Sequence, residues 1–240
     1  MIHRDLRTAE IEANLASVEH RVAAACAAVG RSPSELTVVA VTKTFPAKDI
    51  ARLHALGLRE IGENRDQDAV AKVGACAAMG LTDLRWHFVG QLQRNKAASV
   101  ATYADVIHSV DRAGLVASLD SAAAKAGRTP TCLVQVDLRE PPQDDGRGGA
   151  APAKVERLAA SVAAAEHLTL GGVMAVAPLD SDPAVAFRAL ARIATRLRLT
   201  YPEAVVVSAG MSADLEAAIE AGATHLRLGS ALLGSRPPLR

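Results

Sequence analysis

The run Leu36-Thr-Val-Val-Ala-Val-Thr42 is β-branched or apolar throughout and carries no glycine, proline or charge, and a helix-patterned stretch follows it at 47–56. Such a run reads as a short strand buried on both faces. The same unit then recurs along the chain. Further strands are predicted at 58–62, 84–89, 105–109, 132–137, 170–176, 204–208 and 224–228, with helices at 66–78, 95–100, 112–125, 153–165, 183–199 and 212–221. Short strands alternating with helices imply βαβ units and a parallel sheet. About eight such units are what closes a barrel. Ahead of the first strand, Ile11, Leu15, Val18 and Val22 recur at three- and four-residue steps, which predicts a helix over 6–29, stopped by Gly30 and Pro33. The expected fold is therefore α/β: a single (β/α)8 TIM-type barrel with an extra N-terminal helix, one domain over residues 1–240.

Composition narrows the function. Lys plus Arg number 27 against 26 acidic residues, a net charge of +1, and aromatics are 2% of the chain. That balance offers no electrostatic footprint for nucleic acid and little surface for stacking bases. No uncharged apolar run reaches the length of a membrane span, so no membrane partner is expected. The opening Met1-Ile-His-Arg-Asp5 lacks the apolar core of a signal peptide, which makes the cytoplasm the expected compartment. Cys26, Cys76 and Cys132 have no metal-ligand spacing and are expected as small buried hydrophobes. The stretch 140–152, rich in proline, glycine and charge, reads as a flexible loop after strand five.

Several residues stand where barrels do chemistry, at the C-terminal ends of strands. Lys43 follows strand one and shares a face with Val39 and Val41. A desolvated lysine there can offer a neutral amine that condenses with an aldehyde; the alternative is a solvated lysine ending a strand. After strand seven, Ser208-Ala-Gly210-Met211-Ser212 runs towards a helix, with Ser212 as its N-cap candidate and Gly210 permitting close backbone approach. After strand eight, Gly229-Ser230 opens another helical stretch. Small, hydroxyl-bearing loops at these two positions are where barrels commonly take phosphate. Arg227 either points inward, where it needs a partner such as a pyridine nitrogen, or faces the helix layer. Asn64, after strand two, can hydrogen-bond a ring substituent. His87 is held as a structural histidine or a proton donor and acceptor. Met174 is expected to pack, and Asp111 and Asp137 to be loop or cap carboxylates.

These residues resemble those of a known family, the pyridoxal phosphate homeostasis proteins. The matching pieces are Ala40-Val-Thr-Lys-Thr44, Gly62-Glu-Asn64, Trp86-His-Phe-Val-Gly-Gln-Leu-Gln-Arg-Asn-Lys96, Ile107-His-Ser-Val-Asp-Arg112, Gly172-Val-Met-Ala-Val176, Gly210-Met-Ser212 with Glu216-Ala-Ala-Ile-Glu-Ala-Gly222, and Arg227-Leu-Gly-Ser230 through Gly234-Ser-Arg236. The resemblance implies pyridoxal 5′-phosphate (PLP) bound as a Schiff base on Lys43. It places the phosphate at Ser212, Gly229 and Ser230 beside Gly210 and Met211, Arg227 at the pyridine nitrogen, and Asn64 near the ring. Two features depart from the family pattern: Arg65 stands where an aromatic is usual, and the 140–152 loop replaces a Gly/Ser/Lys-containing stretch.

The family is similar in turn to the barrel domain of alanine racemases, whose second domain supplies a further base. The expectation is that this chain, ending beyond strand eight, lacks that domain and acts as a monomeric PLP carrier, without turnover, that delivers to apo PLP-dependent enzymes. The alternatives are a one-domain PLP-dependent amino-acid racemase, or a phosphate-binding barrel in which Lys43 does retro-aldol chemistry or is structural.

Overall fold

The structure, a computed structural model, describes residues 5–139 and 148–234. The first four residues, the 140–147 part of the expected loop and the Ser235-Arg236 end of the last matching motif lie outside them. Eight strands close in chain order into a parallel barrel, with the first paired to the last. They are β1 (Thr37–Val41), β2 (Glu60–Glu63), β3 (Arg85–Phe88), β4 (Val106–Val110), β5 (Thr131–Gln135), β6 (Thr169–Met174), β7 (Val206–Ser208) and β8 (His225–Leu228). Helix α1 (Leu6–Ala28) precedes the barrel; α2 (Ala47–Ala55), α3 (Asp66–Ala78), α4 (Ala97–Tyr103) and α5 (Ala113–Ala126) follow β1 to β4. The second half adds α6 (Val155–Ala163), α7 (Pro183–Thr200), α8 (Leu215–Glu220) and α9 (Ser230–Leu233). The expected barrel and N-terminal helix are both present.

One helix start needs correction. Ser212 does not cap α8: the helix begins at Leu215, and Asp214 takes the N-cap position. The Asp214 carboxylate accepts from the Met211 N–H, and the Asp214 N–H returns to the Met211 carbonyl oxygen at 3.2 Å. This closed turn postpones the helix and leaves the Ser212 hydroxyl free to accept from the Ala231 N–H at 3.1 Å. The loop after β7 is thereby stitched to the start of α9.

Helix α1 buries the expected stripe, Ile11, Leu15, Val18 and Val22, together with Cys26, and packs on α8 and α9. Its polar side chains hold backbone carbonyls behind the C-terminal mouth. Arg7 donates to Leu233 O at 2.9 Å, Asn14 to Leu232 O at 3.1 Å and Arg21 to Ser212 O at 3.0 Å. The three cysteines are buried free thiols, and burial pushes Cys132 up to about 12, which keeps it inert near neutral pH. Met174 packs with Val106, Leu133 and Val206 inside the barrel. Asp111 and Asp137 accept from Arg112 and Arg139. No described helix is long and apolar enough to cross a membrane.

Strand alternation sends Glu63 outward into the helix layer, where it is fully buried. Lys72 of α3 meets it at 2.6 Å and also donates to Thr42 O at 2.8 Å; the Thr42 hydroxyl bonds the same carboxylate. Burial pushes the Glu63 carboxyl above the usual range, while Lys72 and Thr42 pull it down. Removing one partner of such a pair strands a buried charge. Lys72→Met is expected to cost about 3–5 kcal/mol near neutral pH. Because the folded carboxyl sits above its unfolded value, its protonated form is the one that folding favours. The deficit should shrink in acid and grow as pH rises through the folded value. Urea unfolding in mildly acidic and mildly alkaline buffer reads this directly; an equal loss in both would refute the stranded-carboxylate account.

Candidate functional site

A cavity of about 430 Å³ opens at the C-terminal mouth, and its lining gathers residues from β1 and β8 and from the segments that follow β1, β2, β3, β6, β7 and β8. Seven of the eight residues singled out from the sequence line it: Lys43, Asn64, Met211, Ser212, Arg227, Gly229 and Ser230. Gly210 is not among the lining residues. Its φ of +88° suits glycine, and a Cβ there would stand 2.6 Å from the Ala218 side chain. The close approach it permits is therefore that of α8.

Local structure fixes Lys43 on both sides. Thr42 before it is buried, donates its N–H to Gly62 O at 2.9 Å, and is gripped by the Glu63–Lys72 pair. Thr44 after it has φ +70°, a left-handed conformation that a β-branched residue adopts only at a cost of about 1–2 kcal/mol. The half-buried lysine leaves the strand on this bend into a cavity walled by Val41 and Phe45.

Arg227 settles the alternative that the sequence left open. It points inward, 5% exposed, its Nη1 donating to Ser208 Oγ at 2.6 Å and its Nη2 to Ala175 O at 2.8 Å. Burial lowers it to about 10, with Asp214 acting in the opposite sense, so it stays a cation near neutral pH. Each terminal nitrogen of a guanidinium carries two hydrogens, so hydrogen-bonding capacity remains on the cavity side.

His87 is fully buried and does not line the cavity. Its Nδ1 is 2.8 Å from His108 Nε2, and His108 Nδ1 is 3.0 Å from Ser208 Oγ. His108 and Ser208, the supports behind Arg227, were not assigned from the sequence. Alternation along β4 carried part of the signal, since Val106 and His108 share the inward face before the register shifts ahead of Val110. Gly90 was also missed. A Cβ there would fall 2.1 Å from the Asn64 carbonyl oxygen, so only glycine lets the Asn64 loop pass. Arg65, where the family usually has an aromatic, is exposed at the start of α3 and does not line the cavity.

The fold and the lining define a (β/α)8 barrel with an amine, a guanidinium and two hydroxyls converging at its C-terminal mouth. The profile of the alanine racemase N-terminal domain family matches residues 10–237. A pyridoxal phosphate homeostasis protein of Mycobacterium bovis is 42% identical, over 96% of this chain and 94% of the relative. One from Escherichia coli is 36% identical, over 95% and 97%. The solved structure of PipY from Synechococcus elongatus, with PLP bound, superposes at a TM-score of 0.80 and 32% identity, covering 93% of this chain and all of that one. The chain belongs to the alanine racemase N-terminal domain family and, within it, to the pyridoxal phosphate homeostasis proteins.

The Gly90 contact gives a paired test. Gly90→Ala should destabilise the fold by about 1–3 kcal/mol, the scale of overpacking against an unyielding backbone. Gly74→Ala, inside α3 with open space around it, should stabilise by about 0.5–1 kcal/mol. Thermal unfolding of the two variants checks the signs, and a stabilised Gly90→Ala would refute the contact.

Proposed function

We propose that this chain binds PLP in the β1–β8 mouth cavity, with Lys43 as its covalent partner, and serves cytosolic PLP homeostasis as a monomeric carrier without substrate turnover. One observation carries the reading: Lys43, Arg227, Asn64, Ser212, Gly229 and Ser230, distant in sequence, line a single cavity. Lys43 would hold the cofactor through its amine, which condenses reversibly with the aldehyde that PLP supplies, releasing water. The donor set matches the rest of the molecule. Ser212 and Ser230 offer hydroxyls for a phosphate, and backbone N–H groups where α9 starts have no acceptor within that helix. Arg227, which can only donate, suits an unprotonated pyridine nitrogen. Asn64 suits the polar edge of the ring.

The same lining supports binding without turnover. PLP enzymes use the ring as an electron sink, and a protonated ring nitrogen strengthens it. A guanidinium at that nitrogen keeps it unprotonated and the sink weak. Racemisation then leans on a base at each face of the substrate carbon, yet among the described lining residues Lys43 brings the one amine and none brings a carboxylate or an imidazole. Lacking a second positioned base typically forfeits ~10²–10⁴-fold in rate. Delivery to apo PLP enzymes completes the carrier reading.

Borohydride reduction of the PLP-treated protein should fix the cofactor on Lys43, and Lys43→Ala should abolish the adduct while leaving the barrel folded. A labelled peptide containing another lysine, such as Lys96, overturns the assignment. Ser212→Ala and Ser230→Ala should each weaken PLP binding by about 1 kcal/mol, and pyridoxal without phosphate should bind far more weakly. Mixed with D- and L-amino acids, the loaded protein should turn over none, yet stoichiometrically activate an apo PLP enzyme. Multiple turnovers abolished by Lys43→Ala would sink the carrier reading in favour of a one-domain racemase.

A further inference from the structure

Barrel interiors of this type are normally filled by branched aliphatic side chains. Here a row of polar groups crosses the interior instead. From the cavity, Arg227 Nη1 donates to Ser208 Oγ at 2.6 Å, Ser208 Oγ is 3.0 Å from His108 Nδ1, and His108 Nε2 is 2.8 Å from His87 Nδ1. His87 Nε2 then bonds Glu60 Oε2. Ser208, His108 and His87 are fully buried, whereas the Glu60 side chain is 22% exposed. Glu60 opens β2, so the row begins at the C-terminal mouth and ends at the N-terminal one.

Satisfying the Ser208 hydroxyl hydrogen gives the row a direction. A guanidinium only donates, so Ser208 Oγ accepts from Arg227. Among the described residues the hydroxyl hydrogen of Ser208 then has one acceptor, His108 Nδ1. An accepting Nδ1 means a neutral His108 with its hydrogen on Nε2. Burial agrees, holding that imidazole well below its ordinary range. His108 Nε2–H donates to His87 Nδ1, and the His87 hydrogen is left on Nε2, facing the carboxylate. Every hydrogen points away from the cation and towards the anion. Arg227 itself touches only a hydroxyl and a carbonyl among the described residues. The row therefore supplies a carboxylate to a buried cation at a distance of four hydrogen bonds.

We infer that Ser208, His108, His87 and Glu60 form a one-way relay that positions and polarises the Arg227 guanidinium, so that a carboxylate at the opposite mouth tunes the cofactor's ring, an inference that rests on the cavity taking PLP. All four are positioning residues. Among the described residues, the other charged or titratable groups near the row are Arg85, 3.7 Å from Glu60, His225, whose ring lies 6.3 Å from that of His87, Asp214 near Arg227, and Lys43 in the same cavity as Arg227. Burial lowers His225 to about 4, so it stays neutral and leaves the relay's direction undisturbed.

Nitrogen-15 NMR of the cofactor-free full chain reads the tautomers. His108 is expected to be neutral near pH 7 with its hydrogen on Nε2, and His87 to carry its hydrogen on Nε2 and none on Nδ1. A hydrogen on Nδ1 of either ring, or an imidazolium at His108, overturns the relay whatever the cavity binds. PLP is then titrated into the unsubstituted chain and into Glu60→Gln, which keeps an acceptor for His87 but removes the charge. The variant should bind PLP roughly threefold to tenfold more weakly, the scale on which a charged hydrogen-bond partner exceeds a neutral one, with a shifted absorption maximum. A PLP analogue with carbon in place of the ring nitrogen should not distinguish the two proteins, since it offers Arg227 nothing to bond. Unchanged PLP binding by Glu60→Gln, or equal weakening for both ligands, overturns the relay. Failure of the unsubstituted chain to bind PLP refutes the cofactor reading alone, and the tautomers then decide the relay.

Discussion

Placing the Arg227 guanidinium inside the barrel is the constraint to which the rest of the interior answers. An isolated cation there would cost several kcal/mol, and among the described residues no carboxylate bonds it directly. Ser208 and the Ala175 carbonyl take two of its hydrogens, and Ser208 in turn needs an acceptor. That demand propagates through His108 and His87 until it meets Glu60 near solvent. The apolar cluster of Val106, Leu133, Met174 and Val206 packs the space beside the row, so polar satisfaction and close packing divide the same small volume.

The second demand is a lysine held still at the end of a strand. Two devices meet at Lys43. Behind it, the buried Glu63–Lys72–Thr42 cluster ties the strand end to α3. Ahead of it, Thr44 stores backbone strain that the surrounding structure must hold in place. Neither device touches the cavity, yet both decide where the amine sits, and an amine that wandered would lose the advantage of proximity to a bound aldehyde.

Much of this was legible in the sequence, and what was not follows a pattern. The strand–helix rhythm gave the barrel because each unit is local, and Lys43, Asn64 and the two hydroxyl loops were found because strand ends carry barrel chemistry. Ser212 was misread as a cap because the competing Asp214 turn depends on a hydrogen bond no helix periodicity reveals. Gly210 has the backbone freedom expected of it but spends it on α8. Arg227 stayed ambiguous because inward and outward arginines look alike in a short strand. The relay was invisible for a stronger reason: His108 and Ser208 are 100 residues apart, and only barrel closure brings them together. Residues such as Gly90 declare themselves only when the backbone they admit, here that of Asn64, is seen beside them.

Helix α1 bears on the same site from behind. A four-residue helix such as α9 cannot hold itself, because one turn scarcely recovers the entropy of its own nucleation. Its shape comes from Arg7 and Asn14 gripping its last carbonyls and from Ser212 accepting the Ala231 N–H, while Arg21 fixes Ser212 O. The side of the cavity proposed for phosphate is thus braced by an element outside the βα repeat. At the same mouth, Val176 and Met211 line the cavity yet stay 45% and 38% exposed. A mouth braced from behind yet exposed at Val176 and Met211 suits the proposed ligand, gripped by its phosphate and released by reversing one imine. It suits less well the enclosed, water-excluding pocket on which catalysis at a carbanion depends.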